Sequence, residues 1–417
     1  MEFKFSGKAK RNTTILFALG AIMMLIGGLT DSHMSGQRFW ADLLVTGFFF
    51  FAIAIGALFF YALQYAAEVG WSAQLKRIYE AMFSFLPIGS VVILIVLVAG
   101  LFHGHHLYHW MDGSLYHEYM IESGDSVQYV DTMEAGAVMN PNFDELIANK
   151  RAFLNPGFWM IRSIVYLGSF LIFAFLFRKW SLKEDEIGGK ELHYKQYRRS
   201  ALFLVIFAVF SSTMAWDWLM SIDTHWFSTL YGWYVFSGCW VSCMIFSLLL
   251  VLWLKKHGHL PHVNDSHIHD LGKWMFAISM LWSYLWFSQF LLIWYSDIPE
   301  EVTYYITRIK HFKVPFFLTF AINFAVPFYV LMARDAKRNI NFLLPVALLI
   351  FLGHFVDTYL LVVPGTLHGH AHFGIFEIGM FLTFLGLFIF VTMRTLSKAP
   401  LIPKNHPYLK ESEELHI

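Results

Sequence analysis

Residues 215–231 join two long apolar runs and place three ionisable side chains, Asp217, Asp223 and His225, among tryptophans. Ionisable groups at membrane depth are energetically costly, so they indicate a functional site by default. A second set lies further along the chain, where His354 and Asp357 are three residues apart and share one helix face. Carboxylates beside a histidine can accept, hold and pass protons when their surroundings bring their titration towards neutral pH. The first chemistry that these residue types predict is therefore proton transfer.

The composition identifies the solvent around these groups. Of the 417 residues, 57% are hydrophobic and 14% are charged, and the mean hydropathy is +0.52. A water-soluble domain carries about 25% charged residues, so most of this protein's surface must face lipid. The formal net charge is zero, which excludes nucleic-acid binding through a basic face.

Ten stretches are long and apolar enough to cross a hydrocarbon core about 30 Å thick as helices. Their predicted limits are 13–30, 40–64, 81–102, 157–177, 200–222, 227–254, 273–296, 314–333, 341–363 and 374–394. Of the 30 Lys and Arg residues, 23 lie at the N-terminus, in the even-numbered loops or at the C-terminus. Because basic residues are enriched on the cytoplasmic side, we predict an all-α integral membrane protein with both termini in the cytoplasm.

The depth of each ionisable group follows from its position along a span. Asp217 lies roughly 25 Å along the fifth span, and His354 and Asp357 lie about 20 and 24 Å along the ninth. Glu377 begins the tenth span and Arg162 begins the fourth, both from the outer side. We therefore expect these five groups to form one polar cluster in the outer, periplasmic third of the membrane.

The sequence leaves two interpretations of this cluster open. It is either a proton-handling site or a set of structural ion pairs, for instance Arg162 with Asp217 or with Asp357. Asp223 and His225 fall in the short outer turn between the fifth and sixth spans. We therefore interpret these two as rim residues.

A hydrogen-bonded path towards the cytoplasm is a further hypothesis. Its candidate residues are Glu68 at the end of the second span and Tyr284, Ser288 and Gln289 in the seventh. A b-type haem on this chain is not expected, because it needs paired axial histidines and only His354 lies well inside a span.

Three segments outside the spans have a distinctive composition. The outer loop, residues 103–156, and the inner loop, residues 255–272, are both rich in histidine, and the tail, residues 397–417, is polar. The histidine spacing fits no zinc pattern, so we expect the outer loop to be a docking surface, the inner loop an interaction or capping surface, and the tail to lie on a partner. Cys239 and Cys243 share one helix face and are interpreted as packing residues, with no disulfide or iron–sulfur ligation.

Several stretches resemble a known family. The run Gln64–Met82 is similar to the end of the second helix in NrfD-like membrane subunits, the group that includes the polysulfide reductase anchor. Asp217–Gly232, Asp270–Trp274 with Phe287–Glu301, and Gly353–Pro364 are similar to the two NrfD-like subunits of alternative complex III, a bacterial quinol:cytochrome c oxidoreductase. The resemblance covers almost the whole chain, which at 417 residues looks like the shorter of these two subunits.

This resemblance implies an architecture, a location and a set of partners. The implied fold has two four-helix bundles, built from helices two to five and six to nine, with two peripheral helices, in the bacterial inner membrane. The family implies no redox cofactor on this chain and a quinol site, for menaquinol or ubiquinol, on the periplasmic side. The implied partners are the paralogous NrfD-like subunit and periplasmic subunits carrying haem c and iron–sulfur clusters, with a terminal oxidase as a further candidate.

Three functional interpretations remain. The preferred one is a subunit of a respiratory quinol:cytochrome c oxidoreductase that supplies a proton-transfer path or a scaffold and does not itself carry electrons. The first alternative is direct quinol binding and oxidation, with His354 and Asp357 accepting the protons. The second is a secondary transporter, which ranks last because we find no paired Gly or Pro breaks at corresponding positions of two repeats.

Overall fold

A computed structural model describes residues 3–123, 126–134 and 136–416. It contains ten helices that are long and apolar enough to cross a membrane, which confirms the prediction of a mainly helical, multi-pass membrane protein. These helices are α1 Gly7–Thr30, α2 Gly36–Ala66, α3 Ala73–Leu101, α4 Pro156–Ile187, α5 Lys190–Ile222, α6 Leu230–Lys256, α7 Asp265–Ser296, α8 Lys313–Leu331, α9 Ile340–His370 and α10 Ile375–Leu396.

The connections contain regular structure that the hydropathy pattern did not predict. Between α3 and α4 lies an antiparallel sheet of order β2-β1-β3, formed by β1 Tyr119–Ser123, β2 Ser126–Val130 and β3 Val138–Met139. Tyr119 is opposite Val130 on one side and Met139 on the other. Short helices occupy His109–Met111, Gly113–Tyr116, Glu145–Lys150, Pro299–His311, Asp335–Lys337 and Leu409–Glu413.

The two ends of the helix bundle differ. We call the end that carries both chain termini the terminal end and the opposite one the distal end. At the terminal end, Phe3 packs against Trp253 and Phe5 packs against Phe390. The tail also folds back here, because Leu401 is buried and Asn264 Nδ2 donates to the backbone carbonyl of residue 415. The described part of the tail therefore packs on the protein's own helices, and the expectation that the tail also lies on a partner stays a prediction.

α2 is the central helix of the protein. It packs against α3, α5, α6, α9 and α10, and most of its apolar window is buried. At Gly56 it approaches α6 so closely that a methyl group would lie 2.8 Å from the carbonyl oxygen of Cys239 and from Cβ of Cys243. Small residues permit this approach in membrane helices. Both cysteines are free and buried, which agrees with their interpretation as packing residues.

α8 departs from regular α-helical geometry in its middle. Residues Ala321–Ala325 form a π turn, and Pro327 follows two residues later. Proline lacks the backbone N–H that an α-helix requires, and a wider turn accommodates that loss. Gly353 of α9 lies against this turn, where a methyl group would be 2.2 Å from Oδ1 of Asn323.

α1 and α10 form an antiparallel pair that depends on glycine. A methyl group at Gly20 would lie 2.4 Å from the backbone nitrogen of Thr383 and 2.6 Å from the carbonyl oxygen of Gly379. At Gly28, on the same helix, a methyl group would meet nothing within 4 Å. The contact therefore requires glycine at one position and tolerates larger residues at the other.

We expect Gly20→Leu to destabilise the protein by about 1–3 kcal/mol, because the larger side chain forces the two backbones apart. Gly28→Leu is the matched control and should leave stability unchanged or raise it by a few tenths of a kcal/mol through helix propensity. Thermal unfolding in one detergent compares the two variants. Equal unfolding midpoints would contradict close packing of α1 on α10.

Candidate functional site

The structure places the five predicted ionisable groups in the distal half of the bundle but divides them among three sets of contacts. Arg162 pairs with Asp217, Glu377 pairs with Arg38, and His354 faces Asp357. Among the described residues, no hydrogen bond or ion pair joins one set to another. The expected single cluster is therefore not formed, because equal depth does not imply lateral proximity.

Arg162 and Tyr166 satisfy the charge and the hydrogen-bonding capacity of the Asp217 carboxylate. Nε and Nη2 of Arg162 lie 2.9 and 2.6 Å from the two carboxylate oxygens of Asp217, and the Tyr166 hydroxyl donates to the same carboxylate at 2.9 Å. The Asp217 side chain is fully buried. Bidentate pairing satisfies a buried carboxylate with little capacity left over. This arrangement is typical of a structural ion pair that joins α4 to α5.

Glu377 belongs to a second network, at the distal ends of α2 and α10. Its Oε1 lies 2.6 Å from Arg38, and its Oε2 accepts from the backbone N–H of Gly374 at 2.6 Å, which caps α10. Arg38 also contacts Asp31 at 2.7 Å and lies 4.0 Å from Asp42. Sequence reasoning missed Asp31 and Asp42 and treated Arg38 only as a loop charge. The sequence signal for this network was the spacing of Arg38 and Asp42, which are four residues apart at the start of an apolar run.

Asp357 differs from the other two carboxylates because it has no cationic partner among the described residues. Its carboxylate accepts a hydrogen bond from the Tyr234 hydroxyl and a second one, at 3.0 Å, from the indole N–H of Trp282. His354 Nδ1 lies 3.9 Å from Oδ2 of the same carboxylate. His354 is 1% exposed, and neither ring nitrogen hydrogen-bonds to a described residue. Buried polar groups are normally satisfied, so an imidazole with both nitrogens free indicates a functional position.

Asp357 lines two small cavities. One, of about 20 Å³, is lined by Tyr234, Gln289, Tyr304, Arg308 and Asp357 together with apolar residues. The other, of about 10 Å³, is lined by His354 and Asp357 with residues of α2 and α6. A cavity needs roughly 10–15 Å³ to hold one water molecule. These spaces match the size of single water molecules beside the carboxylate and are too small for a quinol ring.

A larger vestibule leads from the distal surface towards this site. It encloses about 350 Å³ and is lined by Asp144, Asp223, His225, Tyr304 and nine further residues, with His368 at one side. Arg308 Nη2 lies 3.2 Å from Asp223, and His225 Nε2 lies 2.5 Å from Asp144. Burial alone would raise the pKa of Asp144, but hydrogen bonds from His225 and the backbone outweigh it and hold this pKa below its ordinary value. Asp223 and His225 lie in the turn between α5 and α6, as their interpretation as rim residues requires.

The residues of the hypothetical inner path do not form one. Gln289 is buried near the distal end, where its Nε2 donates to the Tyr305 hydroxyl at 3.2 Å. Tyr284 is 67% exposed on the outside of the bundle, and Ser288 is half-buried. Glu68 is exposed at the terminal end, where its carboxylate accepts from Tyr408. Residues of one helix that are close in sequence point in different directions, which separates Tyr284 from Gln289.

The terminal end contains a buried charged site that sequence reasoning missed. Lys76 pairs with Glu184, and Arg77 bridges Glu80 and Asp185. All of these side chains are less than a tenth exposed. The signal was present in the run Gln64–Met82, whose basic residues were counted only as loop charges for the topology rule.

This terminal-end site extends through neutral groups. Tyr61 donates to Gln196 at 2.5 Å, and the Tyr65 hydroxyl donates to Glu184 at 3.2 Å. His193 Nδ1 lies 3.8 Å from Glu184, and a cavity of about 20 Å³ lies between these groups and the tail. The cavity can therefore hold a water molecule among tyrosine, histidine and lysine groups.

The tail covers this site. His406 packs its ring against His193 and Tyr65, and Ser412 donates to the carbonyl oxygen of Trp71 at 2.7 Å. His267 belongs to the predicted inner loop, residues 255–272, but lies in the first turn of α7, and its Nε2 is 3.2 Å from the Ser412 hydroxyl. The inner loop therefore holds the protein's own tail. Among the described residues, no group of three His, Cys, Asp or Glu side chains is arranged to hold a metal ion.

We expect the tail to detach as the pH falls. Burial, followed by the charge of Lys76, lowers the pKa of His406 to about 3. His406 has a lower pKa in the docked tail than in the free tail, so protonation favours the free tail. Docking is therefore fully stable above about pH 6.5, the ordinary pKa of histidine, and weakens below it. Between pH 7 and pH 5 the free energy of tail docking weakens by about 2 kcal/mol.

Hydrogen exchange of residues 400–416 at pH 7 and pH 5 measures this loss. Glu184 faces His406 and opposes the shift, whereas Lys76, Arg77 and His193 favour it. His406→Phe keeps an aromatic ring but cannot titrate, so its exchange, corrected for the intrinsic pH effect, should be the same at both pH values. A wild-type tail with equal protection at the two pH values would contradict burial of a neutral His406.

Comparison with protein-family models and with curated proteins gives no match for this chain. Membership of the NrfD-like family therefore stays a prediction from the sequence stretches described above.

Proposed function

We propose that this protein is an integral membrane subunit of a respiratory quinol:cytochrome c oxidoreductase and supplies a proton-transfer path without a redox cofactor of its own. The observation that carries the proposal is the Asp357–His354 pair. Among the described residues, a buried carboxylate with no Lys or Arg ion pair faces, at 3.9 Å, a buried imidazole whose two nitrogens form no hydrogen bond. Such a pair can hold one proton in more than one arrangement, which a closed ion pair cannot.

The distal half of the path begins at the vestibule. Tyr304 lines both the vestibule and the first small cavity, and Asp357 lines both small cavities. A proton entering or leaving through the vestibule can therefore pass by way of single water molecules to Asp357 and then to His354. Arg308 at the same cavity pairs with Asp223 and keeps the entrance polar.

The terminal half of the path is the site around Glu184. Its cations and carboxylates balance, since Lys76 and Arg77 are paired with Glu184, Glu80 and Asp185, and Arg178 also contacts Glu80. Between the halves, Cys239 and Ser242 line the His354 cavity. This middle section is only weakly polar, so transfer across it requires water molecules that enter during turnover.

The remaining elements of the proposal follow from the resemblance and from helix packing. We propose that the terminal end faces the cytoplasm, consistent with the distribution of basic residues. We also propose the bundles α2–α5 and α6–α9, with α2 at their interface, since α2 packs against α3 and α5 and also against α6 and α9. The outer loop, with its small sheet, is proposed as the docking surface for the periplasmic haem c and iron–sulfur subunits.

Replacing Asp357 by Asn tests the path. We expect the assembled complex in liposomes to keep quinol:cytochrome c turnover while proton translocation falls about 10-fold or more, because Asn cannot take up a proton. Turnover is followed by cytochrome c reduction and translocation by the pH outside the vesicles.

Asp217→Asn is the matched control, because it removes a carboxylate at a similar depth that forms an ion pair with Arg162. We expect lower stability but unchanged proton translocation per electron in the fraction that assembles. If Asp357→Asn keeps full translocation, the path does not run through this residue. If it abolishes turnover itself, the alternative of a direct quinol-oxidising site replaces the proposal.

A further inference from the structure

A groove between α8 and α9 opens on the outside of the helix bundle in its distal half. It encloses about 490 Å³, within the usual range for ligand sites. Along α9 it extends from Leu349 to Tyr359, about 15 Å at the helical rise. Leu318 and Leu352 on its walls are each 51% exposed. The groove thus has the length and apolar character to receive part of a hydrocarbon chain.

One polar group in the groove lacks a partner. Thr319 lines it, is 2% exposed, and its hydroxyl forms no hydrogen bond with a described residue. Two buried threonines of α9, Thr358 and Thr366, donate instead to a carbonyl of their own helix. The Thr319 hydroxyl is therefore available to donate to an oxygen atom of a molecule in the groove.

Basic residues mark the distal rim of the groove. His311 and Phe312, which precede Lys313 in the sequence, line the groove, and so does Val314, which follows Lys313. Lys310 and Lys313 are exposed, and neither forms an ion pair within the described part of the chain. Only six of the 30 basic residues lie in the distal loops, and two of them are these lysines. The groove therefore has a positively charged end and an apolar body.

We propose that this groove binds one acyl chain of an anionic phospholipid from the distal leaflet. The phosphate lies at the rim near Lys310, His311 and Lys313, an ester carbonyl accepts from Thr319, and the chain follows α9 towards Leu349. Basic pockets beside membrane helices bind anionic headgroups, at about 1 kcal/mol for each Lys or Arg, or about 5-fold in affinity. The site is separate from Asp357 and does not depend on the function proposed above.

Titration of the purified full-length chain with phosphatidylglycerol or phosphatidylcholine of the same acyl chains, followed by native mass spectrometry, tests the site. Leu352→Trp fills the groove and should weaken the first bound lipid about 10-fold. Leu348→Trp, one turn away on the same helix, is the control, because Leu348 is similarly exposed at 48% and does not line the groove. It should leave binding unchanged.

Two further variants separate the parts of the site. Thr319→Val preserves shape and should weaken both lipids about 5-fold through loss of one hydrogen bond. Lys310→Gln with Lys313→Gln should remove the preference for phosphatidylglycerol and leave phosphatidylcholine binding unchanged. Equal lipid retention by Leu352→Trp and Leu348→Trp overturns the proposal. Displacement of phosphatidylglycerol by an equimolar amount of decylubiquinone also overturns it, and assigns the groove to a quinone instead.

Discussion

Neutralisation of charge inside the helix bundle is the constraint on which the arrangement of this protein depends. A carboxylate that is removed from water must be paired, hydrogen-bonded or protonated, because its solvation cannot otherwise be replaced. The structure meets this requirement with cations from other helices, as Arg162 does for Asp217 and Arg38 for Glu377. Each pair also fixes the position of one helix against another. The same contacts that neutralise charge therefore hold α4 to α5 and α10 to α2.

Asp357 meets the requirement differently, and this difference is what supports its proposed role. Neutral donors, the Tyr234 hydroxyl and the Trp282 indole, stabilise its carboxylate. Neutral donors tolerate both protonation states better than a fixed cation does, because no charge is left unpaired when the carboxylate takes up a proton. His354 then provides a second position for that proton. The proposed role depends on this difference, since no described residue forms a fixed Lys or Arg ion pair with Asp357.

The sequence predicted the spanning helices well because hydropathy is a local property that each stretch carries by itself. It predicted depth for the same reason, since depth follows from position along a helix. It could not predict partners, because Arg162 and Asp217 are 55 residues apart and Arg38 and Glu377 are 339 apart. Because depth alone does not give lateral position, the sequence predicted one cluster where the structure has three separate sets of contacts. The terminal-end site was missed because Lys76 and Arg77 were assigned to a loop, where charge needs no partner.

The two ends of the protein handle access in opposite ways. At the distal end, a vestibule of about 350 Å³ leads towards Asp357 and is open to the surface. At the terminal end, the cavity lined by Lys76 and His193 is about 20 Å³, and His406 of the tail covers it. In the proposed path, protons exchange freely at the open distal end, and the rate of exchange at the covered end depends on the tail. Because burial lowers the pKa of His406, acidification of the terminal side weakens docking of the tail and would uncover the terminal end of the proposed path.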